Sequence, residues 1–308
     1  MTPKEILRNY FESGSILRPL LVPLMFSYAA KLQKVDLKSF YTNPTILTNT
    51  LYNAWKFFRY DGIINYIDET LELEALGCRV DWCNEQYIIV AKPQEPENLT
   101  WKNIKEKGRI PIAIEVIRRL KATVRDECII IGVLRGPFSL LNDLDMKENR
   151  KNLLQRIINT ELEICQAYCE AGADLILILE KRLPSDEETL YEYMKDLVPL
   201  RNVANFFEAR LILSLKEMEM PQALNILQDS IDGMILGDQQ NLSQIKVPLG
   251  LSISNDLLYD GEKIIRFLQQ KLEGGIKPFI LTTKEEVHDI SIYSLKNSIN
   301  ALKSLKLG

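Results

Sequence analysis

The chain has 308 residues, of which 46% are hydrophobic and 26% charged, a composition typical of a globular protein that buries a large core. Its net charge of -4 and its pI near 5.4 argue against a protein that wraps a nucleic-acid backbone. His288 is the single histidine, which excludes zinc fingers with paired histidines, three-histidine zinc sites and two-histidine iron sites.

The first part of the chain mixes short strand patterns with helical ones. Residues 18–25 (RPLLVPLM) predict a strand in spite of two prolines, and residues 43–60 predict an amphipathic helix. A second strand is predicted at 62–68 (GIINYID), and an inserted hairpin at 78–93. Residues 110–125 predict the next helix.

From about residue 128 onward, predicted strands and helices alternate strictly. Each strand candidate is apolar almost throughout, as expected of parallel strands that are covered on both faces. The candidates are residues 128–136, 174–180, 210–216, 232–238, 248–254 and 278–283. Helical patterns occupy residues 149–171, 186–207, 221–229, 262–273 and 291–305. Gly172 and the pair at 274–275 are placed to end two of these helices.

About eight parallel strands, each followed by a helix or a loop, predict an α/β protein with a (β/α)8 TIM barrel. The prediction includes an N-terminal helical extension and a hairpin insertion, all in a single domain of residues 1–308. An open doubly wound sheet is the alternative, although no glycine fingerprint for a dinucleotide follows any strand.

The cysteines and the N-terminal residues indicate in which cellular compartment the protein is expected. The five cysteines form no Cys-x-x-Cys pair, and Cys165 and Cys169 stand one helical turn apart, as expected of buried thiols in a reducing compartment. The polar N-terminus has no signal-peptide core, and no apolar run reaches the length of about 18 residues that a membrane span needs. We therefore expect a cytoplasmic protein without a membrane or nucleic-acid partner.

Four motifs follow one another along the chain. They are residues 61–80 (DGIINYIDETLELEALGCRV), 132–140 (GVLRGPFSL), 170–174 (EAGAD) and 278–283 (PFILTT). In this order and spacing they resemble the uroporphyrinogen decarboxylase superfamily, which includes the decarboxylase and corrinoid-protein methyltransferases that transfer methyl groups to thiols. The resemblance covers about residues 3–305 and implies the same barrel fold.

The resemblance implies a catalytic role for Asp68. In the decarboxylase, an aspartate at the end of the second strand holds the pyrrole N–H groups of the substrate and stabilises a cationic intermediate, and Asp68 falls on that position. A carboxylate in a water-poor pocket interacts strongly with a developing positive charge. The alternative is that Asp68 only caps the helix that follows it.

Other features of the decarboxylase are missing. Its two arginines, which grip the carboxylates of the substrate, are replaced by Phe26 and Ala30. A tyrosine of the family is matched by Asp143, whose charge would repel a polyanionic substrate. His288 has no clear counterpart. We therefore expect no useful turnover of uroporphyrinogen III.

The zinc ligands of the methyltransferase branch are also missing. That branch binds zinc through a histidine and a cysteine after the fifth strand and a cysteine after the eighth, and the zinc lowers the pKa of the thiol substrate. The matching positions hold Ser214, Lys216 and Glu285, which do not form a soft zinc site, so no metal is predicted. Lys216 and Glu285 could instead meet as an ion pair across the same space.

Two further strand ends complete the predicted site. Arg135 precedes a Gly-Pro pair and could hold a substrate anion, with a salt bridge to an acidic neighbour as the alternative. Glu180 ends the next strand and could line the same mouth, with a surface ion pair as the alternative. The predicted substrate-binding residues are Arg135, Asp143, Glu180, Ser214, Lys216 and Glu285.

The resemblance implies two hypotheses about function. The first is an enzyme that acts, without zinc, on a corrinoid-bound methyl group or a tetrapyrrole-type ligand. It would hold no cofactor tightly, and its cobalamin would be carried by a partner corrinoid protein. The second is a non-catalytic accessory or binding protein of a corrinoid methyltransferase system. True decarboxylation of uroporphyrinogen is less favoured than either of these two hypotheses.

Overall fold

A computed structural model describes residues 1–65, 68–146, 150–216, 229–237 and 245–305. Its strands in chain order are β1 (Leu20–Val22), β2 (Gly62–Ile64), β3 (Arg79–Cys83), β4 (Gln86–Ala91), β5 (Ile129–Arg135), β6 (Leu175–Glu180), β7 (Arg210–Leu215), β8 (Gly233–Gly237), β9 (Leu249–Ile253) and β10 (Ile280–Thr283). Its helices are α1 (Pro3–Ser13), α2 (Phe26–Leu32), α3 (Leu37–Thr42), α4 (Pro44–Phe58), α5 (Leu71–Ala75), α6 (Ile110–Val124), α7 (Pro137–Leu144), α8 (Arg150–Glu170), α9 (Glu187–Phe206), α10 (Gly261–Glu273) and α11 (Ile292–Ser304).

Eight parallel strands form one sheet in the order β1-β10-β9-β8-β7-β6-β5-β2. The two ends of this order meet, because the Asp61 N–H donates to the Leu21 carbonyl oxygen at 2.8 Å. The sheet is therefore a nearly closed barrel, and the predicted (β/α)8 fold is confirmed over the open alternative. The strands are buried almost throughout, as in a barrel whose interior is filled with branched side chains.

The seam between β1 and β2 rests on a buried ion pair. Asp61 is fully buried, and its two carboxylate oxygens each accept a hydrogen bond of 2.7 Å from the Arg18 guanidinium. Oδ2 also accepts from the Leu21 N–H at 2.8 Å, so one carboxylate joins the loop before β2 to β1.

Several predicted elements are present with shorter bounds. β3 and β4 pair antiparallel as the predicted hairpin, and α1 is the predicted N-terminal helix. Gly172 ends α8 with a φ of +101°, in the left-handed region that favours glycine. The predicted second strand ends at Ile64, and residues 66–67 lie outside the described ranges. Residues 221–228 of one predicted helix also lie outside them.

Four short helices were not predicted, namely α2, α3, α5 and α7. Each has five to eight residues, too few for a helical period to stand out from a loop in the sequence. Cys165 and Cys169 lie one turn apart in α8 and both are buried, as predicted. Within the described ranges, no helix combines the length and apolarity needed to cross a membrane.

Candidate active site at the mouth of the barrel

The carboxyl ends of the barrel strands surround a small cavity that continues into an open groove. The cavity, of about 40 Å³, is lined by charged residues at the strand ends and by an apolar floor that includes Leu71, Val133 and Leu179. The groove, of about 710 Å³, extends beneath the β3–β4 hairpin and past α3. Its volume falls in the range of small-molecule and cofactor sites, and its position is that of barrel active sites.

Most of the residues predicted from the sequence converge here. Asp68, Arg135, Glu180 and Lys216 line the cavity, and Asp143 lines the groove. Ser214 is half-buried on β7, and Glu285 is exposed after β10; neither lines the cavity or the groove.

Asp68 lies four residues beyond the end of β2, in the loop that leads to α5. Its Oδ1 accepts hydrogen bonds from the Thr70 N–H at 2.8 Å and the Thr70 hydroxyl at 2.7 Å. This is an Asx-type turn, since the carboxylate bonds to the backbone two residues on. Its Oδ2 forms an ion pair with the Arg109 guanidinium. The side chain is only 8% exposed, so both oxygens hold their partners away from bulk water.

Arg109, at the N-terminus of α6, is a central residue of the site that the sequence did not reveal. Its Nε donates to Glu74 Oε2 at 2.6 Å, and it also donates to the Thr70 hydroxyl at 2.8 Å. Its guanidinium carbon lies 3.7 Å from the centre of the Tyr87 ring on β4, a close cation–π contact. Arg109 therefore connects the inserted hairpin with Asp68.

A second network surrounds Arg135. Its Nε donates to Asp143 Oδ2 at 2.7 Å, and its Nη1 lies 3.2 Å from Glu69 Oε2. The structure thus shows the salt bridge that was the alternative for Arg135. Asp143 also lies 3.5 Å from Lys181 Nζ, so its charge is balanced by two cations.

Lys216 forms its ion pair with Glu69 and not with Glu285, and that part of the sequence interpretation is wrong. Its Nζ lies 2.7 Å from Glu69 Oε1, whereas Glu285 is exposed after β10. Asp68 and Glu69 point to different partners, as neighbouring residues usually do. Burial acts to raise the pKa of Glu69, but the hydrogen bond from Lys216 and the charges of Arg135, Lys216 and Lys181 outweigh it and lower the pKa to about 2.

Glu180 is fully buried, so the alternative of a surface ion pair is wrong. Its carboxylate accepts from the Phe138 and Ser139 N–H groups at 2.8 and 2.9 Å, and from the Tyr193 hydroxyl at 2.5 Å. These contacts hold the N-terminus of α7, where free N–H groups favour a negative charge. Burial nevertheless raises the pKa of Glu180 to about 7. Its role in substrate binding stays a prediction.

Glu72, on α5, is a second buried carboxylate next to the site. It is 2% exposed, and its Oε1 accepts from the Arg135 N–H at 3.0 Å. Burial raises its pKa to about 7 as well. Two carboxyl groups under the mouth of the barrel therefore titrate near neutral pH.

The raised pKa values of Glu180 and Glu72 predict an unusual pH dependence of stability. Because their pKa values in the folded chain lie above the usual 4.5, the folded state binds more protons than the unfolded state between about pH 4.5 and 7. The free energy of unfolding should therefore fall as pH rises through this window, by up to about 3 kcal/mol for one such group. Urea denaturation at several pH values between 5 and 8 measures this slope.

Glu180→Gln is the matched variant for this prediction, because an amide of the same shape does not titrate. It should reduce the slope between about pH 4.5 and 7 by the share of Glu180. The remaining slope comes from Glu72 and from Glu161, a further buried carboxyl whose pKa is raised by burial. Glu69 does not contribute to this slope, because its pKa is lowered to about 2. Its contribution to the free energy of unfolding changes only below about pH 4.5, where stability is lost as pH falls toward 2. An unchanged slope in Glu180→Gln would mean that Glu180 is not one of the groups that titrate in this window.

The residues at the zinc-ligand positions do not fit a zinc ion. Ser214 lies within a strand, Lys216 is paired with Glu69, and Glu285 is exposed. Zinc sites in proteins use thiolate, imidazole and carboxylate ligands that converge on one point. In the described ranges, no group of three or more histidine, cysteine, aspartate or glutamate side chains is arranged to hold a metal ion.

Comparison with known families agrees with this barrel fold. Residues 2–194, more than half of the chain, match the family model for uroporphyrinogen decarboxylase (URO-D). The chain belongs to the uroporphyrinogen decarboxylase family. The resemblance drawn from the four sequence motifs is thereby confirmed.

The relatives within this family include both methyltransferases and a decarboxylase. The methylated-thiol–coenzyme M methyltransferase of Methanosarcina mazei is 31% identical over 117 residues, which are 37% of this chain and 31% of the relative. The methylcobamide:CoM methyltransferase MtbA of Methanosarcina acetivorans is 25% identical over 196 residues, 58% of this chain and 56% of the relative. The chloroplastic uroporphyrinogen decarboxylase 2 of Arabidopsis thaliana is 22% identical over 180 residues, 51% of this chain and 46% of the relative.

The aligned region thus spans between about a third and just over half of the length of these relatives. Among solved structures, a methyltransferase from Methanosarcina mazei superposes with a TM-score of 0.79 over 98% of both chains, at 17% sequence identity. At that identity the superposition shows that the two proteins share a fold. It extends the agreement in fold over almost the whole chain.

Proposed function

We propose that this chain binds a corrinoid or a related tetrapyrrole-type ligand across the mouth of its barrel and takes part in methyl transfer from it without zinc. The observation that carries this proposal is the groove of about 710 Å³ that passes Asp68 at the strand ends. Relatives named as methylcobamide:CoM methyltransferases support the choice of ligand. Asp68, held by Arg109, is the residue proposed to act on the ligand.

The size of the cavity supports a ligand that a partner presents. The cavity at the strand ends, of about 40 Å³, has room for only a few water molecules and cannot enclose a macrocycle. A tetrapyrrole can therefore lie only in the open groove, with one face outward. This arrangement suits a corrinoid carried by a separate corrinoid protein, and we propose such a protein as the partner. The five free cysteines favour a reducing compartment, the cytoplasm, as the place of action.

The decarboxylase activity is not proposed. Phe26 and Ala30, at the positions of the substrate-gripping arginines, are 1% and 0% exposed and belong to the core. Neither side chain lines the groove, and neither can hold a carboxylate.

A second candidate function is that of an accessory protein that binds the corrinoid without catalysis. The observation in its favour is that the cations of the mouth are already paired: Arg109 with Asp68, Arg135 with Asp143, and Lys216 with Glu69. A site whose charged side chains are paired with one another stabilises a transition state less than a site whose charges are unpaired until the substrate binds.

The proposal is tested by titrating the purified chain with methylcobalamin and by following its demethylation after a thiol acceptor is added. Binding with demethylation supports the enzyme, and binding alone supports the accessory protein. The absence of binding, to the chain alone or with a corrinoid protein, would contradict both.

Asp68→Asn and Glu74→Gln form a matched pair of variants for this test. Both remove a carboxylate that contacts Arg109, but only Asp68 lines the cavity and the groove. If Asp68 acts on the ligand, Asp68→Asn should weaken binding or turnover by about tenfold or more, and Glu74→Gln should retain most of both. Equal losses in the two variants would assign Asp68 a purely structural role.

The purified protein is also expected to carry no stoichiometric zinc. Serine, lysine and glutamate at the three ligand positions lack the thiolate and imidazole donors of such a site, and Lys216 is held by Glu69. Elemental analysis of protein purified without chelators measures the metal content. One tightly held zinc ion per chain would contradict the alignment of the fifth and eighth barrel strands, β7 and β10, with the methyltransferases. It would also contradict the ion pair between Lys216 and Glu69.

A further inference from the structure

We propose that Arg135, Lys181 and Lys216 form a binding subsite for the anionic group of a small molecule, a carboxylate, sulfonate or phosphate. In the structure the carboxylate of Glu69 occupies this subsite, as an internal counter-ion that a ligand would displace. We call the three cations the cation cradle.

The cradle is built from three neighbouring strands. Arg135 ends β5, Lys181 follows β6, and Lys216 follows β7, and these strands pair in that order. Parallel strands end on the same face of a barrel, so their three cationic side chains converge at its mouth. A single carboxylate meets all three: the oxygens of Glu69 lie 3.2 Å from Arg135, 3.6 Å from Lys181 and 2.7 Å from Lys216.

The contacts to Glu69 are of the kind that a ligand can replace. The Glu69 side chain is 48% exposed, and those of Lys181 and Lys216 are 46% and 56% exposed. Ion pairs between exposed side chains contribute little to stability, because water and salt screen them. Leaving the cradle therefore costs Glu69 its contacts with the three cations, and an anionic ligand that makes the same contacts would offset that cost.

Arg135 is the fixed member of the cradle. Its side chain is 8% exposed, and its bond to Asp143 does not depend on Glu69. When Glu69 leaves, the three cations keep one acidic partner, Asp143, which contacts Arg135 and Lys181. Asp68, in the same cavity, is paired with Arg109. The buried carboxyls of Glu72 and Glu180 add little negative charge below about pH 7, because their pKa values are raised to about 7.

The surroundings of the cradle indicate where the rest of a ligand would lie. The cradle and Asp68 line the same cavity, and Asp68, Arg135 and Lys181 also line the groove. A molecule with its anionic group in the cradle would extend toward Asp68. This inference concerns the chain alone and does not require that a corrinoid binds.

The test is a calorimetric titration of the purified chain at pH 6.5 with acetate, methanesulfonate and inorganic phosphate, and with neutral acetamide for comparison. We expect at least one of the three anions to bind and acetamide not to bind. Because no corrinoid is added, a failure to bind methylcobalamin leaves this test intact.

Three variants distinguish an anion-binding role of the cradle from a purely structural role of its ion pairs. Glu69→Gln should tighten anion binding by about threefold or more, because the internal competitor is gone. Lys216→Gln should weaken it by about fivefold or more, since one charge-assisted bond is lost. Glu127→Gln is the matched control, because it breaks an exposed ion pair between Glu127 and Arg59. Neither residue lines the cavity or the groove, so the affinity for the anion should be unchanged.

Three results would overturn the proposal: no anion binding to either the natural chain or Glu69→Gln, equal binding of acetamide, or an affinity that Glu69→Gln leaves unchanged or weakens. Binding seen only in Glu69→Gln would support it, because the internal carboxylate would then exclude the ligand from the natural chain.

Discussion

Replacing Asp61 with alanine should lower the free energy of unfolding by about 3–5 kcal/mol, the usual cost of removing one partner of a buried ion pair. The variant leaves Arg18, which is 7% exposed, without its carboxylate, and it leaves the Leu21 N–H without its acceptor. The backbone of Asp61 bonds to Leu21 on one side and Ile129 on the other, so the loss falls on the seam of the barrel. Urea denaturation monitored by circular dichroism measures the change.

The double variant Arg18→Met/Asp61→Leu is the control for Asp61→Ala. It removes the buried carboxylate and the buried guanidinium at once, and apolar groups of similar size fill the space. Only the half-buried Lys303, 3.8 Å from Asp61 Oδ1, loses a partner. It should be clearly more stable than Asp61→Ala. If the double variant were as unstable as the single one, or if Asp61→Ala cost less than about 1 kcal/mol, the ion pair would not support the seam in the way proposed.

Gly136→Ala should be the second most damaging change, with a loss of about 3 kcal/mol. A Cβ atom at this position would lie 2.0 Å from Glu180 Cδ and 2.4 Å from Glu180 Cγ, far inside contact distance. Glu180 cannot move away freely, since its carboxylate is held by the N-terminus of α7 and by the Tyr193 hydroxyl. Thermal and urea unfolding measure the loss.

The same variant should disturb the cation cradle, because α7 carries Asp143, which positions Arg135. Gly274→Ala is the matched control. Gly274 has a φ of -76°, which alanine adopts readily, and its Cβ would meet its nearest atom at 3.4 Å. The control should change stability by less than about 1 kcal/mol. Equal effects at the two glycines would show that the contact with Glu180 does not decide the result.

The barrel was predictable from the sequence because burial determines strand composition. A strand covered on both faces has to be apolar throughout, and six of the eight parallel strands, those from β5 to β10, lie within runs that this property predicts. The glycine at the end of α8 was recognisable for an equally local reason, since it adopts a φ that other residues avoid.

The electrostatics of the mouth was less predictable. The sequence indicated which strand ends meet there, but it paired Lys216 with Glu285, whereas the structure pairs it with Glu69, 147 residues away. The sequence does not indicate Arg109, because an arginine before a helix is typical of an exposed surface position. Only the fold places it against Asp68, 41 residues away, and beneath Tyr87.

For this protein, the amino-acid sequence alone determined the order of the strands and helices, the barrel that they form and the family. Each of these depends on residue type at a position or on a short period along the chain. Only the tertiary structure decided which charges are paired, which carboxyl groups are buried and what shape the groove has. Those properties depend on the distances between loops that are far apart in sequence. A long charged side chain in such a loop pairs with whichever group of opposite charge the fold brings within reach.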